Sequence, residues 1–164
     1  MNKKVKLIID TDPGHDDVMA LLLAVKSNLF DIKAITTVAG NSVIKNATKN
    51  ACFTLDLLER RDIPVYSGQK NPLKRKLILA VVHGKSGLDG VDTSKTKFNL
   101  TQDAEDRIIE IVEKNPGITL LTLGPLSNVA RAILKKPKIV KNIKEIVMMG
   151  GAINVPGNKN RVGE

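Results

Sequence analysis

The 164 residues are 42% hydrophobic and 26% charged, which suits one compact domain with a real core, or a piece of a larger one. Twenty-six basic residues against 17 acidic ones leave a net charge of +9. The basic patches at Lys70 to Lys76 and Lys135 to Lys144 lack interleaved aromatics or a reading helix, so they read as solvated surface and no nucleic-acid partner is expected.

In chain order, Met1-Asn2-Lys3-Lys4 is basic, but the apolar run behind it is broken by Lys6 and ends at Asp10, too short for a secretory signal. Val5 to Ile9 reads as a buried strand stopped by the turn Asp10 to Gly14. From Asp16 the spacing is helical, with Val18, Leu21, Leu22 and Val25 on one face. A second strand covers Ile32 to Ala39 and closes at Gly40-Asn41. A second helix runs from about Val43 to Arg61, with Ala47, Ala51, Leu55 and Leu58 down one face. It carries Cys52, the chain's one cysteine, which excludes an internal disulfide and reads as a small buried hydrophobe. Pro64-Val65-Tyr66 is a third short strand.

Gln69 to Thr101 is a long loop holding most of the turn chemistry, including His83-Gly84-Lys85-Ser86-Gly87-Leu88-Asp89-Gly90. A loop of this length in a compact domain is often functional. Its apolar run Leu77 to Val82 is too short to span a bilayer, so a soluble cytoplasmic protein with no membrane partner is expected. A helix then covers Asp103 to Lys114 and a strand Ile118 to Leu123. Pro125 opens a further helix that ends near Lys136-Pro137, and Glu145 to Met149 is the last strand. Strands alternating with helices imply an α/β fold, a mostly parallel open sheet with helices on both faces. Such sheets bind ligands beyond the carboxyl ends of their strands. Asp10 to Asp17, Gly40-Asn41, Gly124 and Gly150-Gly151 all follow strands.

Four aspartates within Asp10-Thr11-Asp12-Pro13-Gly14-His15-Asp16-Asp17 demand an account. Two carboxylates about 4 Å apart repel by roughly 4 kcal/mol at an effective dielectric near 20. They can point apart into water, one can stay protonated, or a cation can bind. Taken singly, Asp10 fits a turn cap, and Asp16 and Asp17 fit the positive start of a helix. Four together around Pro13-Gly14 favour a metal. Hard oxygen donors without paired His or Cys point to calcium or magnesium, and His15 is explained by its loop position without ligation.

This octapeptide resembles the N-terminal signature of the inosine/uridine-preferring nucleoside hydrolases. Thr36-Thr37-Val38-Ala39-Gly40-Asn41, His83-Gly84 with Ser86-Gly87, Leu123-Gly124-Pro125-Leu126-Ser127-Asn128, and Met149-Gly150-Gly151 with Asn158 to Glu164 resemble later motifs of the family in order. The resemblance implies hydrolysis of the N-glycosidic bond of a ribonucleoside to ribose and free base, in purine or pyrimidine salvage, with a calcium cofactor. It implies that Asp12 binds calcium and acts as general base on a metal-bound water, and that Asp17 binds calcium with both oxygens. The carbonyl of Leu123 would be a further ligand and Asp10 would support the cluster. Asp16, Asn158 and Glu164 would hold the ribose, with Asn41 reaching the ribose or supporting the residues that do, Met149 packed beside the sugar and His83 near the departing base.

The family continues beyond Glu164 with another ribose asparagine, a last calcium aspartate and usually a histidine near the base. The chain is therefore expected to be the N-terminal part of a single nucleoside hydrolase domain, incomplete at the C-terminus, with weak calcium binding, little turnover by itself and an exposed apolar sheet edge. The full-length protein is expected to be a homo-oligomer. Two other readings stand beside this one. Asp10-Thr11-Asp12 after a strand fits the start of a haloacid-dehalogenase-like phosphatase, although that family wants Gly-Thr or Gly-Ser next. A non-catalytic nucleoside- or ribose-binding remnant is the third.

Overall fold

Alternation along the first strand sets up the molecule. In the computed structural model, which describes residues 3–80 and 82–157, β1 (Val5–Thr11) buries Leu7 and Ile9 on one face and Ile8 on the other. Odd and even residues of a strand point to opposite faces, so β1 feeds two cores. One is shared with α1 (His15–Lys26) and α2 (Ile44–Leu57), through Leu21, Ala24, Ala51 and Leu55. The other is shared with α3 (Ala104–Lys114) and α4 (Ser127–Lys135), through Ile108, Val112, Val129 and Ala132.

The remaining strands are β2 (Phe30–Thr37), β3 (Val65–Ser67), β4 (Ile118–Thr122) and β5 (Ile143–Met148). All pairings are parallel, in the order β3-β2-β1-β4-β5. The chain therefore builds outward from β1 through β2 to β3, then returns to the other side of β1 for β4 and β5. That reversal leaves a crevice at the carboxyl ends of β1 and β4, where open α/β sheets bind ligands.

Several boundaries differ from the sequence expectation. β1 does not stop at Ile9: Asp10 and Thr11 pair with Thr36 and Thr37 of β2, and Asp10 also with Thr122 of β4. Asp10 is thus a strand residue rather than a turn cap. β2 ends at Thr37, two residues short of Ala39. α2 ends at Leu57 rather than Arg61, because Glu59 takes a left-handed conformation and the Arg60 amide bonds back to the Leu55 carbonyl, a common helix stop. Pro125 precedes α4 by two residues, and a 3-10 turn at Pro137–Asn142 leads into β5. β5 is an edge strand that exposes Ile146, Val147 and Met148, the apolar edge expected from the sequence. Among the described residues, no helix is long and apolar enough to cross a membrane.

Candidate functional site at the carboxyl ends of β1 and β4

The end of β1 sorts its carboxylates by direction. Asp10 shares the parity of Ile8 and reaches toward α4. There its Oδ1 accepts from Thr36 Oγ1 at 2.5 Å and Asn128 Nδ2 at 2.7 Å. Asn128 also donates to the Thr37 carbonyl at 2.9 Å and accepts from the Gln69 amide at 2.8 Å. Asp10 Oδ2 is buried without a hydrogen-bond partner. Burial lifts the Asp10 carboxyl to about 6, against the lowering effect of Thr36 and Asn128.

Asp12 lies just past the strand, 5% exposed, with its carboxylate wedged between two glycines. A Cβ on Gly40 would fall 2.1 Å from Asp12 Oδ2, and one on Gly124 would fall 2.5 Å from Oδ1. Neither position tolerates a side chain while Asp12 stays in place. Oδ2 accepts from the Asn41 amide at 2.6 Å. Burial, then repulsion from Asp17 and from Asp10, raises the Asp12 carboxyl to about 7, partly offset by the Asn41 bond.

Asp17, in the first turn of α1, is buried beside it. Its Oδ1 accepts from Thr11 Oγ1 at 2.7 Å, and its Oδ2 from the Gly14 amide and Asn41 Nδ2, each at 3.1 Å. Burial again raises its pKa, against those hydrogen bonds. Asn41 thus spans both acids, and its Nδ2 also donates to the Asp12 carbonyl at 3.1 Å. Asp16 is 63% exposed at its side chain and meets His83 Nε2 at 3.2 Å. His15 is the first residue of α1 rather than a loop residue, and its ring touches that of His83.

Asp12, Asn41, Leu123, Gly124 and Met149 line one cavity of about 400 Å³. Of the residues expected from the sequence, Asp12, Asp17 and Asn41 are therefore joined in one hydrogen-bonded cluster, while Asp10 is held apart from it by Thr36 and Asn128. Leu123 and Met149 line the cavity together with Asp12, and Asp16 and His83 pair with each other outside that lining. Asn158 and Glu164 lie outside the described residues. Thr11, Thr36 and Asn128 were given no role by the sequence, although a hydroxyl or amide inside an otherwise apolar layer is the signal that marks such groups. A larger cavity of about 650 Å³ lies beside the start of β3, between Cys52, Arg61, Phe98 and Thr101. Its guanidinium is already engaged by Asp56 and the Lys97 carbonyl, and burial raises the Cys52 thiol.

The donor set suits a hard cation. It is all oxygen, and its acids carry pKa values raised by burial and by one another, a cost that a bound positive charge would relieve. Asp12 keeps open lone pairs on both oxygens, whereas Asp17 keeps one on Oδ1, its Oδ2 being filled by two donors. Among the described residues, no three His, Cys, Asp or Glu side chains converge to hold a metal by themselves, so backbone or further oxygens must complete the shell.

A doubly wound parallel sheet with a buried carboxylate cluster at its switch point defines an α/β ligand-binding or hydrolytic protein. The family model for inosine-uridine preferring nucleoside hydrolase matches residues 7–164. An uncharacterized protein of Schizosaccharomyces pombe is 46% identical over 158 residues, 94% of this chain and 51% of its own length. The pyrimidine-specific ribonucleoside hydrolase RihA of Shewanella woodyi is 41% identical over 152 residues, 91% of this chain and 49% of its own. A solved plant nucleoside hydrolase superposes with a TM-score of 0.92 at 40% identity, covering 99% of this chain and 52% of that one. The chain belongs to the inosine-uridine preferring nucleoside hydrolase family. It spans about half the length of the curated relatives it matches. This membership sets aside the phosphatase alternative.

Proposed function

We propose that this protein hydrolyses the N-glycosidic bond of a ribonucleoside, releasing ribose and the free base, with calcium held by Asp12, Asp17 and the Leu123 carbonyl. The observation that carries this reading is the Asp12 carboxylate, wedged between Gly40 and Gly124 with its pKa raised to about 7. A carboxylate buried beside a second acid gains from a bound cation and keeps lone pairs open to accept a proton from a water held there. Calcium, when bound, would supply Lewis acidity toward the attacking water and an anchor for the sugar diol.

The chain's own residues do the rest. Asp12 accepts the proton of the attacking water. Asp16 and Asn41 orient the ribose hydroxyls, joined by Asn158 and Glu164, and Met149 packs against the sugar. Departure of the base develops positive charge at the anomeric carbon, which the anionic crevice stabilises. Gly40 and Gly124 hold the Asp12 carboxylate where it is needed.

Uridine is the first substrate to test, since the RihA relative is named as pyrimidine-specific, with inosine beside it. Reducing sugar should appear with calcium, stop with chelator and be lost in Asp12→Asn. Phosphate release from p-nitrophenyl phosphate without sugar release would refute the reading. Calorimetry separates catalysis from mere retention of ribose. A cytoplasmic location and a homo-oligomeric assembly belong to the same proposal, checked by fractionation and by mass in solution.

A further inference from the structure

Asp16 is the outlier of the four acids. Its side chain is 63% exposed on the first turn of α1, where a carboxylate would normally wander among rotamers. What stops it is His83, whose side chain is only 18% exposed and whose Nε2 lies 3.2 Å from Asp16 Oδ1. His83 sits in a notch over Gly14, where a Cβ would come within 2.6 Å of the ring.

The loop carrying His83 is built rather than draped. Asp89 Oδ1 accepts from the Ser86 amide at 3.0 Å and Ser86 Oγ at 2.6 Å, and Oδ2 from the Lys85 amide at 3.3 Å. The Asp89 amide closes on the His83 carbonyl at 3.1 Å. Asn50 Nδ2 donates both to the Ser86 carbonyl at 3.0 Å and to the Pro13 carbonyl at 3.1 Å, tying the loop to the turn that precedes α1.

His15 completes the arrangement. Its Nε2 lies 3.2 Å from the Asp89 carbonyl. A carbonyl only accepts, so Nε2 carries a proton. His83 Nδ1 lies 3.1 Å from His15 Nδ1 and accepts from the His15 amide at 3.5 Å, which leaves Nε2–H to donate to Asp16 Oδ1. The contact with the His15 ring holds the plane of the His83 ring and aims Nε2 at Asp16.

We infer that His15 is a positioning residue for the sugar site: acting through His83, it holds Asp16 in the orientation that receives the ribose hydroxyls. The inference rests on the proposed nucleoside hydrolase reading, and it gives His83 a duty toward the sugar wall rather than toward the departing base alone. A polar group beside His83 Nδ1 is what the arrangement requires, so asparagine, whose amide can place an oxygen or an NH2 near the position of His15 Nδ1, should substitute where alanine or phenylalanine cannot.

The test compares His15→Ala, His15→Phe and His15→Asn in the full protein by crystallography and by kinetics on uridine. The alanine and phenylalanine variants should lose the His83–Asp16 contact. KM should rise about tenfold, the effect of one polar contact, while kcat stays within about twofold. The asparagine variant should keep the contact and recover KM to within about threefold. A His83 ring still on Asp16 in His15→Ala, or an unchanged KM, or a failure of asparagine to rescue, would overturn the inference. Absence of sugar release from the unaltered protein would overturn the proposed activity instead, and the crystal structures would still decide the positioning.

Discussion

Replacing Asn128 by alanine should destabilise the protein far more than its position at the start of a helix suggests. The side chain is fully buried and makes three hydrogen bonds: to Asp10 Oδ1, to the Thr37 carbonyl and from the Gln69 amide. The Thr37 carbonyl keeps the Gly68 amide as a partner, and the half-buried Gln69 amide can turn to water, so those two losses cost about 1 kcal/mol each or less. The bond to Asp10 weighs more. That carboxylate is charged at neutral pH, fully buried, and already has one oxygen without a partner. Loss of a hydrogen bond to such a group costs about 1.5–3 kcal/mol. A total of about 1.5–5 kcal/mol follows, a large share of the roughly 5–15 kcal/mol that holds a typical domain folded. Urea unfolding at pH 7 in chelator should show the midpoint falling by that amount with an unchanged slope. A shift worth less than about 1 kcal/mol would mean that the clasp on Asp10 is not what stabilises this end of the sheet.

Gly40→Ala should leave the fold intact and cut calcium affinity at least about tenfold, as disturbed support of a metal ligand does, because its Cβ would lie 2.1 Å from Asp12 Oδ2; calorimetry with calcium reads this, and unchanged affinity refutes the wedge. Metal-free stability should fall as pH rises. Asp10 and Asp12 have folded pKa values of about 6 and about 7 against 3.8 for the free side chain, so their contribution is fully present below about 4 and is lost as pH passes through 6 and 7. Asp10 alone accounts for roughly 3 kcal/mol of that fall over the whole span from below pH 4 to above pH 6, about half of it between pH 5 and 8. Melting in chelator from pH 5 to 8 should show it, with calcium restoring stability most at the upper end; a rise with pH would refute the assignment. Val147→Lys on the exposed edge strand β5 should reduce concentration-dependent scattering, as edge charges block strand pairing, and unchanged scattering would place self-association elsewhere.

The sequence carried the strand and helix order because parallel strands buried on both faces read as apolar runs and the helices as three- and four-residue spacings. It lost the boundaries where a polar residue belongs to a strand. Asp10 and Thr11 look like turn chemistry, yet they pair with Thr36 and Thr37 across the sheet, a long-range fact that local pattern cannot hold. The end of α2 was misread because Glu59, with φ of 55°, adopts a conformation more usual for glycine or asparagine. Within the site, Asp12, Asp17 and Asn41 were legible from motif and order. The clasp by Asn128 and the bridge from His15 to His83 were not, since each joins residues more than sixty positions apart.

Why four acids so close in sequence do not share one role follows from the geometry of a strand running into a helix. Alternation sends Asp10 to the α4 side, where amide and hydroxyl donors hold it away from solvent. The chain then leaves the sheet, and the tight turn at Pro13-Gly14 brings Asp17 back beside Asp12, with Asn41 bridging the two. Asp16, one position earlier on the helix, points roughly 100° away from Asp17 and meets His83. Repulsion among these groups is therefore concentrated on a single pair, Asp12 and Asp17. That pair retains open oxygen lone pairs, and it is where a cation would lower the energy most. A substitution that moves Asp10 or Asp16 should weaken support or sugar placement, whereas one that removes Asp12 or Asp17 should abolish calcium binding altogether.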